Sequence, residues 1–255
     1  DTSRRNPAKE LFARDEDRKR AAIRIEVPIA SLIASVVRGA PLLLVLLGSF
    51  AAVAQPAPVD AEAAQVFAAI DEGKELLAEG LIRRGKVNVN ARNAARETPL
   101  HRAVERGMKE LTRALIEMRA DLRARSATGE TALHLAALHE DPVLADLLIK
   151  AGADPRARND EGESALQWAA LTGNATTAPL LLGRGADPNV RDLAGNSVLH
   201  AAADVGSEEM VRLLLPLVKE PLAANRAGKT AKDIAKEHSH AAIVKLLDAP
   251  PQAAG

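Results

Sequence analysis

TPLHRA (98–103), TALHLA (131–136), SALQWA (164–169) and SVLHAA (197–202) are one phrase written four times at intervals of 33 residues. Other positions keep the same interval: Thr98, Thr131, Ser164, Ser197 and Thr230; Ala103, Ala136, Ala169, Ala202 and Ala235; Gly129, Gly162, Gly195 and Gly228; Asp121, Asp154 and Asp187. Self-similarity at such a period marks a chain built by stacking one small unit. The leading Thr or Ser can cap a short helix, and Pro99 falls in a first turn, where proline is tolerated. Leu and Ala then form an apolar stripe, and a second stripe such as Leu144, Leu147 and Leu148 follows after a short turn. Neither helix can bury its stripe alone, so neighbouring units must stack. The expected fold is therefore all-α, a solenoid of helix-turn-helix units joined by turn-shaped tips.

The repeated phrase is closed twice by a second one, GADPRAR (152–158) and GADPNVR (185–191). Together they resemble the ankyrin-repeat family over residues 60–248. Four full units are read at 93–125, 126–158, 159–191 and 192–224. A degenerate first unit at 60–92 ends in GKVNVNAR (85–92), and a C-terminal cap follows at 225–248. Three departures carry expectations. Arg96 occupies the tip position held elsewhere by glycine, which accepts positive φ, so that tip should be strained or differently shaped. The fourth unit has Pro216, Val218, Lys219 and Glu220 where Gly-Ala-Asp would be, so its second helix should end early. Pro179, placed inside the second helix of the third unit, should make residues 174–179 a weak point.

Composition narrows the class of function. The chain has 255 residues, no cysteine, one Trp, three Phe and no Tyr, with 34 basic against 34 acidic side chains. Few aromatics disfavour a deep enzymatic pocket. Zero net charge disfavours nucleic acid, whose binding needs a concentrated basic face. Without cysteine there is neither a disulfide nor a thiolate nucleophile.

Residues 29–54 carry Arg38 as their only charge, and 42–53 (LLLVLLGSFAAV) are uninterrupted by strongly polar groups other than Ser49. A basic flank, a short apolar block and a small-residue exit describe a secretory signal peptide, here 38–54, cleaved after Ala54. The alternative is a retained inner-membrane anchor at 29–54, although Arg38 and Pro41 interrupt the roughly 20 apolar residues a span requires. Residues 1–37 read as a disordered or over-extended tail, with the true start near Val37; 55–62 read as a Pro-rich linker and 249–255 as a disordered tail. Cleavage would remove 9 basic and 6 acidic groups, leaving 25 against 28.

Several motifs invite chemical readings. AANRAGKT (223–230) resembles a relaxed P-loop, yet Gly228 and Thr230 keep the repeat phase and no apolar strand precedes them. His101, His134 and His200 fall one per unit and cannot converge on one metal; the resemblance gives them a framework role between units. His238 and His240 form an H-x-H pair without a third ligand nearby, and the resemblance assigns His240 to helix capping. Trp168 reads as packing that could also serve recognition. No catalytic residue, metal site or cofactor is expected.

The family resemblance implies a concave face, made from tips and the exposed side of the first helices, that grips another protein. Carried onto this chain, the partner-facing residues are Glu97, Glu105, Arg106, Glu130, Leu138, His139, Asp160, Glu161, Glu163, Leu171, Thr172, Asn196, Asp204 and Val205. The set is acidic with an apolar stripe at Leu138, Leu171 and Val205, suited to a basic or amphipathic partner. The expected function is a non-catalytic, exported bacterial adaptor that binds a periplasmic protein, with no nucleic acid or small-molecule substrate. The alternative is an accessory subunit of an inner-membrane complex.

Overall fold

The computed structural model describes residues 61–85 and 87–248, all within one unit, Pro58–Gly255. The tail at 1–37, the signal segment at 38–54, linker residues 55–60 and the tail at 249–255 lie outside the described residues. Among those described, twelve helices follow one another in six pairs: α1 (Ala61–Asp71) with α2 (Glu75–Arg83), α3 (Pro99–Glu105) with α4 (Lys109–Glu117), α5 (Ala132–Ala136) with α6 (Val143–Lys150), α7 (Ala165–Thr172) with α8 (Thr177–Gly183), α9 (Val198–Val205) with α10 (Glu208–Leu214), and α11 (Ala231–Glu237) with α12 (Ala241–Asp248). Ala61 and Glu62, assigned above to the linker, open α1. The one β feature among the described residues is an isolated antiparallel bridge between Arg158 and Ser164.

The head of the repeated phrase explains why each first helix starts where it does. Thr98, Thr131, Ser164, Ser197 and Thr230 are extended N-caps, each closing a reciprocal capping box with the residue three further on. The stripe behind the cap is the core: Leu100, Leu133, Leu166 and Leu199, with Ala103, Ala136, Ala169 and Ala202, are at most 1% exposed. Each such leucine contributes about 1.5–3 kcal/mol over its exposed state. First helices pack along the series α1, α3, α5, α7, α9 and α11, and second helices pack α2 on α4, α4 on α6, α6 on α8 and α10 on α12. Alanine at the buried phases allows this close approach, which is how so few aromatics suffice.

Between units the chain reverses in a hairpin tip. Gly129, Gly162 and Gly195 take φ of 79, 78 and 80°, and Arg96 takes the same left-handed conformation at φ 58°. The first tip thus keeps the common shape and bears the strain itself. Its Arg96 N–H donates to the Asn93 carbonyl at 2.9 Å, as Gly129 donates to Ser126 at 3.1 Å. Adjacent tips are stitched by backbone bonds from Ala127 to Ala95 (2.8 Å), Asp160 to Thr128 (3.1 Å), Leu193 to Glu161 (2.8 Å) and Arg226 to Ala194 (2.9 Å).

Helix α10 ends at Leu214, two residues ahead of the position where α4, α6 and α8 end in the repeat register, in line with the loss of Gly-Ala-Asp. Pro179 requires a correction. It is the third residue of α8, so its missing N–H is one that no intrahelical bond would use. Residues 174–177 are anchored by the buried Asn174. Its Nδ2 donates to the Ala137 carbonyl at 3.2 Å, to Thr177 Oγ1 at 3.1 Å and to the His139 carbonyl, and its Oδ1 accepts from the Thr176 and Thr177 N–H groups at 3.2 Å. The segment expected to be weak is a well-bonded joint between units.

Candidate functional site

The histidines of the repeated phrase are absorbed by the framework. His101 Nδ1 accepts the Thr98 N–H at 3.2 Å, and its Nε2 donates to the Glu130 carbonyl of the next unit at 3.1 Å. His134 repeats this with Thr131 and Glu163, and His200 with Ser197 and Lys229. Gln167 replaces the imidazole in the third full unit, joining Ser164 to the Asn196 carbonyl at 3.0 Å. An acceptor at Nδ1 and a donor at Nε2 define a neutral ring. Burial lowers the pKa of His101 and lowers that of His134 to about 4.

Lys229 and Thr230, the P-loop-like pair, have similar duties: Lys229 Nζ meets Glu237 at 2.8 Å and Thr230 caps α11. His238 Nδ1 lies 2.8 Å from the Asp204 carbonyl, and His240 directly precedes α12. No group of three or more potential metal ligands occurs among the described residues. Trp168 is 2% exposed, edge-on to His134 with ring centroids 5.5 Å apart, and its Nε1 donates to Glu163 Oε2 at 2.7 Å. It is packing.

The partner-facing set divides in two. Glu97 and Glu130 are only 7% exposed: Glu97 accepts from Asn93 Nδ2 at 2.7 Å, and Glu130 from Ser126 Oγ at 2.9 Å. Glu163 is half-buried and accepts from Asn159 Nδ2 at 2.8 Å as well as from Trp168; burial raises its pKa. These three carboxylates hold the tips together and do not form an outward rim. His139 donates from Nε2 to the Val104 carbonyl at 2.7 Å, and Thr172 bonds back to Trp168 and Ala169. Asn196 is tied to Asp192 and Asn225. Glu105 pairs with the buried Arg102, which also holds Asp71; Arg106 Nη2 lies 3.7 Å from Asp71, and Asp204 lies 3.4 Å from His238.

What is offered outward is sparser and more apolar than the sequence reading held. Leu138 and Leu171 are half-exposed at one phase of successive units, Val205 is 36% exposed one unit further, and Leu193 is 52% exposed on its tip. Asp160, 2.8 Å from Arg125, and the exposed Glu161 are the tip carboxylates that face solvent. The face is an apolar strip with charges of both signs beside it.

One series escaped the sequence reading. Arg92 Nη1 donates to the Arg125 carbonyl at 2.8 Å, Arg125 Nη1 to that of Arg158 at 2.7 Å, Arg158 Nη2 to that of Arg191, and Arg191 Nη1 to that of Ala224 at 3.1 Å. Arginine ends each closing phrase at the 33-residue interval, a signal present in the sequence. A recess of about 140 Å³ lined by Asn189, Arg191, Ser197, Val218, Lys219 and Glu220 lies where α10 ends early, and is smaller than the several hundred Å³ of a usual ligand pocket.

A family model described as ankyrin repeats (3 copies) matches residues 63–159, 119–192 and 166–251. No curated protein matches the chain.

Proposed function

Because the chain belongs to the ankyrin-repeat family, whose repeats generally mediate protein–protein interaction, we propose that it is a non-catalytic adaptor that binds another protein along the strip Leu138, Leu171 and Val205. The single observation that supports this most is the contrast within the face. Most of its polar side chains are tied to partners in their own or the neighbouring unit, whereas one apolar side chain per unit is left partly exposed in three successive units: Leu138 in the turn after α5, Leu171 in α7 and Val205 at the end of α9. An amphipathic segment of the partner suits such a strip better than a merely basic one, since Glu97, Glu130 and Glu163 are turned inward. Neither nucleic acid nor a small-molecule substrate enters this reading.

The adaptor acts in the periplasm of a bacterium, released by cleavage after Ala54. Support for export comes from the apolar block at 42–53 with its basic flank and small-residue exit. No described helix is long and apolar enough to cross a membrane; the alternative reading keeps residues 29–54 as a retained anchor. Release on osmotic shock agrees with cleavage, and extraction only by detergent agrees with the anchored accessory subunit. The binding test is a pull-down from periplasmic extract with Leu138 and Leu171 changed to Asp. The expected result is loss of the captured protein with circular dichroism unchanged; undiminished capture removes the proposed face.

A further inference from the structure

A terminal unit of a stacked array has one face without a neighbour, and a chain that leaves such a face in water makes it polar. At the C-terminal end this chain does so. Lys232 stands at the phase of Leu100, Leu133, Leu166 and Leu199, and Lys236 at that of Val104, Ala137, Ala170 and Ala203, all eight of which are at most 1% exposed. Lys232 is further paired with Asp248, which takes the phase of Ile116, Ile149 and Leu182.

The N-terminal end is built differently. Gly73 and Gly107 follow α1 and α3 in the same left-handed conformation, φ 74 and 73°, and are 34 residues apart, which fixes the register of the first unit. In that register Leu77 stands at the phase of Leu111, Leu144, Thr177, Met210 and Ile243, which are at most 1% exposed, yet Leu77 is 49% exposed. Leu81 matches Leu115, Leu148, Leu181 and Leu214, all fully buried, and is itself half-exposed. Ala68, at the phase of Arg102, Leu135, Trp168 and Ala201, is also exposed. Beside them Leu76 is 85% exposed. This end has the composition of an interior face.

We propose that it is covered by the same face of a second copy, in a two-fold head-to-head dimer through α1 and α2. The inference rests on the cleavage after Ala54 proposed above. Cleavage leaves residues 55–60 ahead of α1, and six residues reach at most about 20 Å when extended, too few to supply a covering helix pair. A head-to-tail arrangement would press the face against Lys232, Lys236 and Asp248 and desolvate their charges. Its apolar complement is therefore itself, as an isologous contact requires. The rim carries both signs, in the pairs Glu72 with Lys74 and Glu79 with Arg83, so two-fold apposition brings unlike charges within reach.

The test expresses the full chain and measures the processed product by intact mass and by sedimentation equilibrium at micromolar concentration. The first reading reports whether residues 1–54 are gone; a product that keeps them refutes cleavage, while sedimentation decides the dimer separately. The expected wild-type mass is twice that of one chain, and L76E/L77E should sediment as one chain with unchanged far-ultraviolet circular dichroism. As a second readout in a chain without cysteine, A68C should form an oxidised covalent dimer and K236C should not. A wild-type monomer, with or without a different protein or a vesicle bound at Leu76 and Leu77, overturns the proposal, as do a dimeric L76E/L77E or equal cross-linking of the two cysteine variants.

Discussion

His134 shows how much one buried residue does in this protein. Its ring lies between Thr131 of its own unit and the Glu163 carbonyl of the next, and burial lowers its pKa to about 4 from an ordinary 6.5. As pH falls, the unfolded chain takes up the proton first. The stability this residue contributes is complete above about pH 6.5, is lost between there and about pH 4, and changes no further below, a total of about 3 kcal/mol. Urea midpoints measured across that range should fall accordingly. His134→Gln, which copies the bonding of Gln167, should flatten the slope, and equal slopes would contradict the assignment. A second residue-scale prediction concerns Arg96, held at φ 58° where the other tips have glycine. Arg96→Gly should stabilise the protein by about 1 kcal/mol in urea unfolding; a loss of stability would mean that the side chain offsets its strain. The left-handed position could be read from the glycine spacing. That an arginine would adopt the glycine shape could not, because the neighbouring tip bonds that enforce it belong to the stack.

At the scale of elements, the caps, the short first helices and the early end of α10 were legible because each depends on residues adjacent in sequence. Helix α8 was not. From sequence Pro179 reads as a helix-interior residue, whereas the helix starts only at Thr177, after Asn174 has bonded back to the Ala137 and His139 carbonyls. Those are contacts to residues 35 and 37 positions earlier, which no local pattern reveals. Pro179→Ala should accordingly change stability by less than about 0.5 kcal/mol. Asn174→Ala should cost about 2 kcal/mol or more, since it leaves buried carbonyl and N–H groups without their partner. Thermal melts of the two variants check the pair, and the reverse order of effects would restore the proline as the weak point.

For the whole molecule, a 33-residue interval was enough to specify the stack, because the four full units present their neighbours with the same caps, leucines and carbonyl acceptors. The binding face was less legible. Glutamates at Glu97, Glu130 and Glu163 read as surface charge until their Asn, Ser and Trp partners are seen, and His139 and Thr172 read as free until their carbonyl acceptors are. The arginine series from Arg92 to Arg191 states the same principle in one contact per unit: each guanidinium reaches a carbonyl 33 residues on, whichever unit supplies it. If neighbour contacts of this kind are what hold the protein together, units are interchangeable. Deleting residues 159–191 from the full chain joins Arg158 to Asp192 and offers His134 the Asn196 carbonyl in place of that of Glu163. Circular dichroism of this deletion should show a cooperative melt at lower temperature, with helical signal reduced only by the share of α7 and α8. An unfolded or aggregated product would show that the helices enclose one indivisible core.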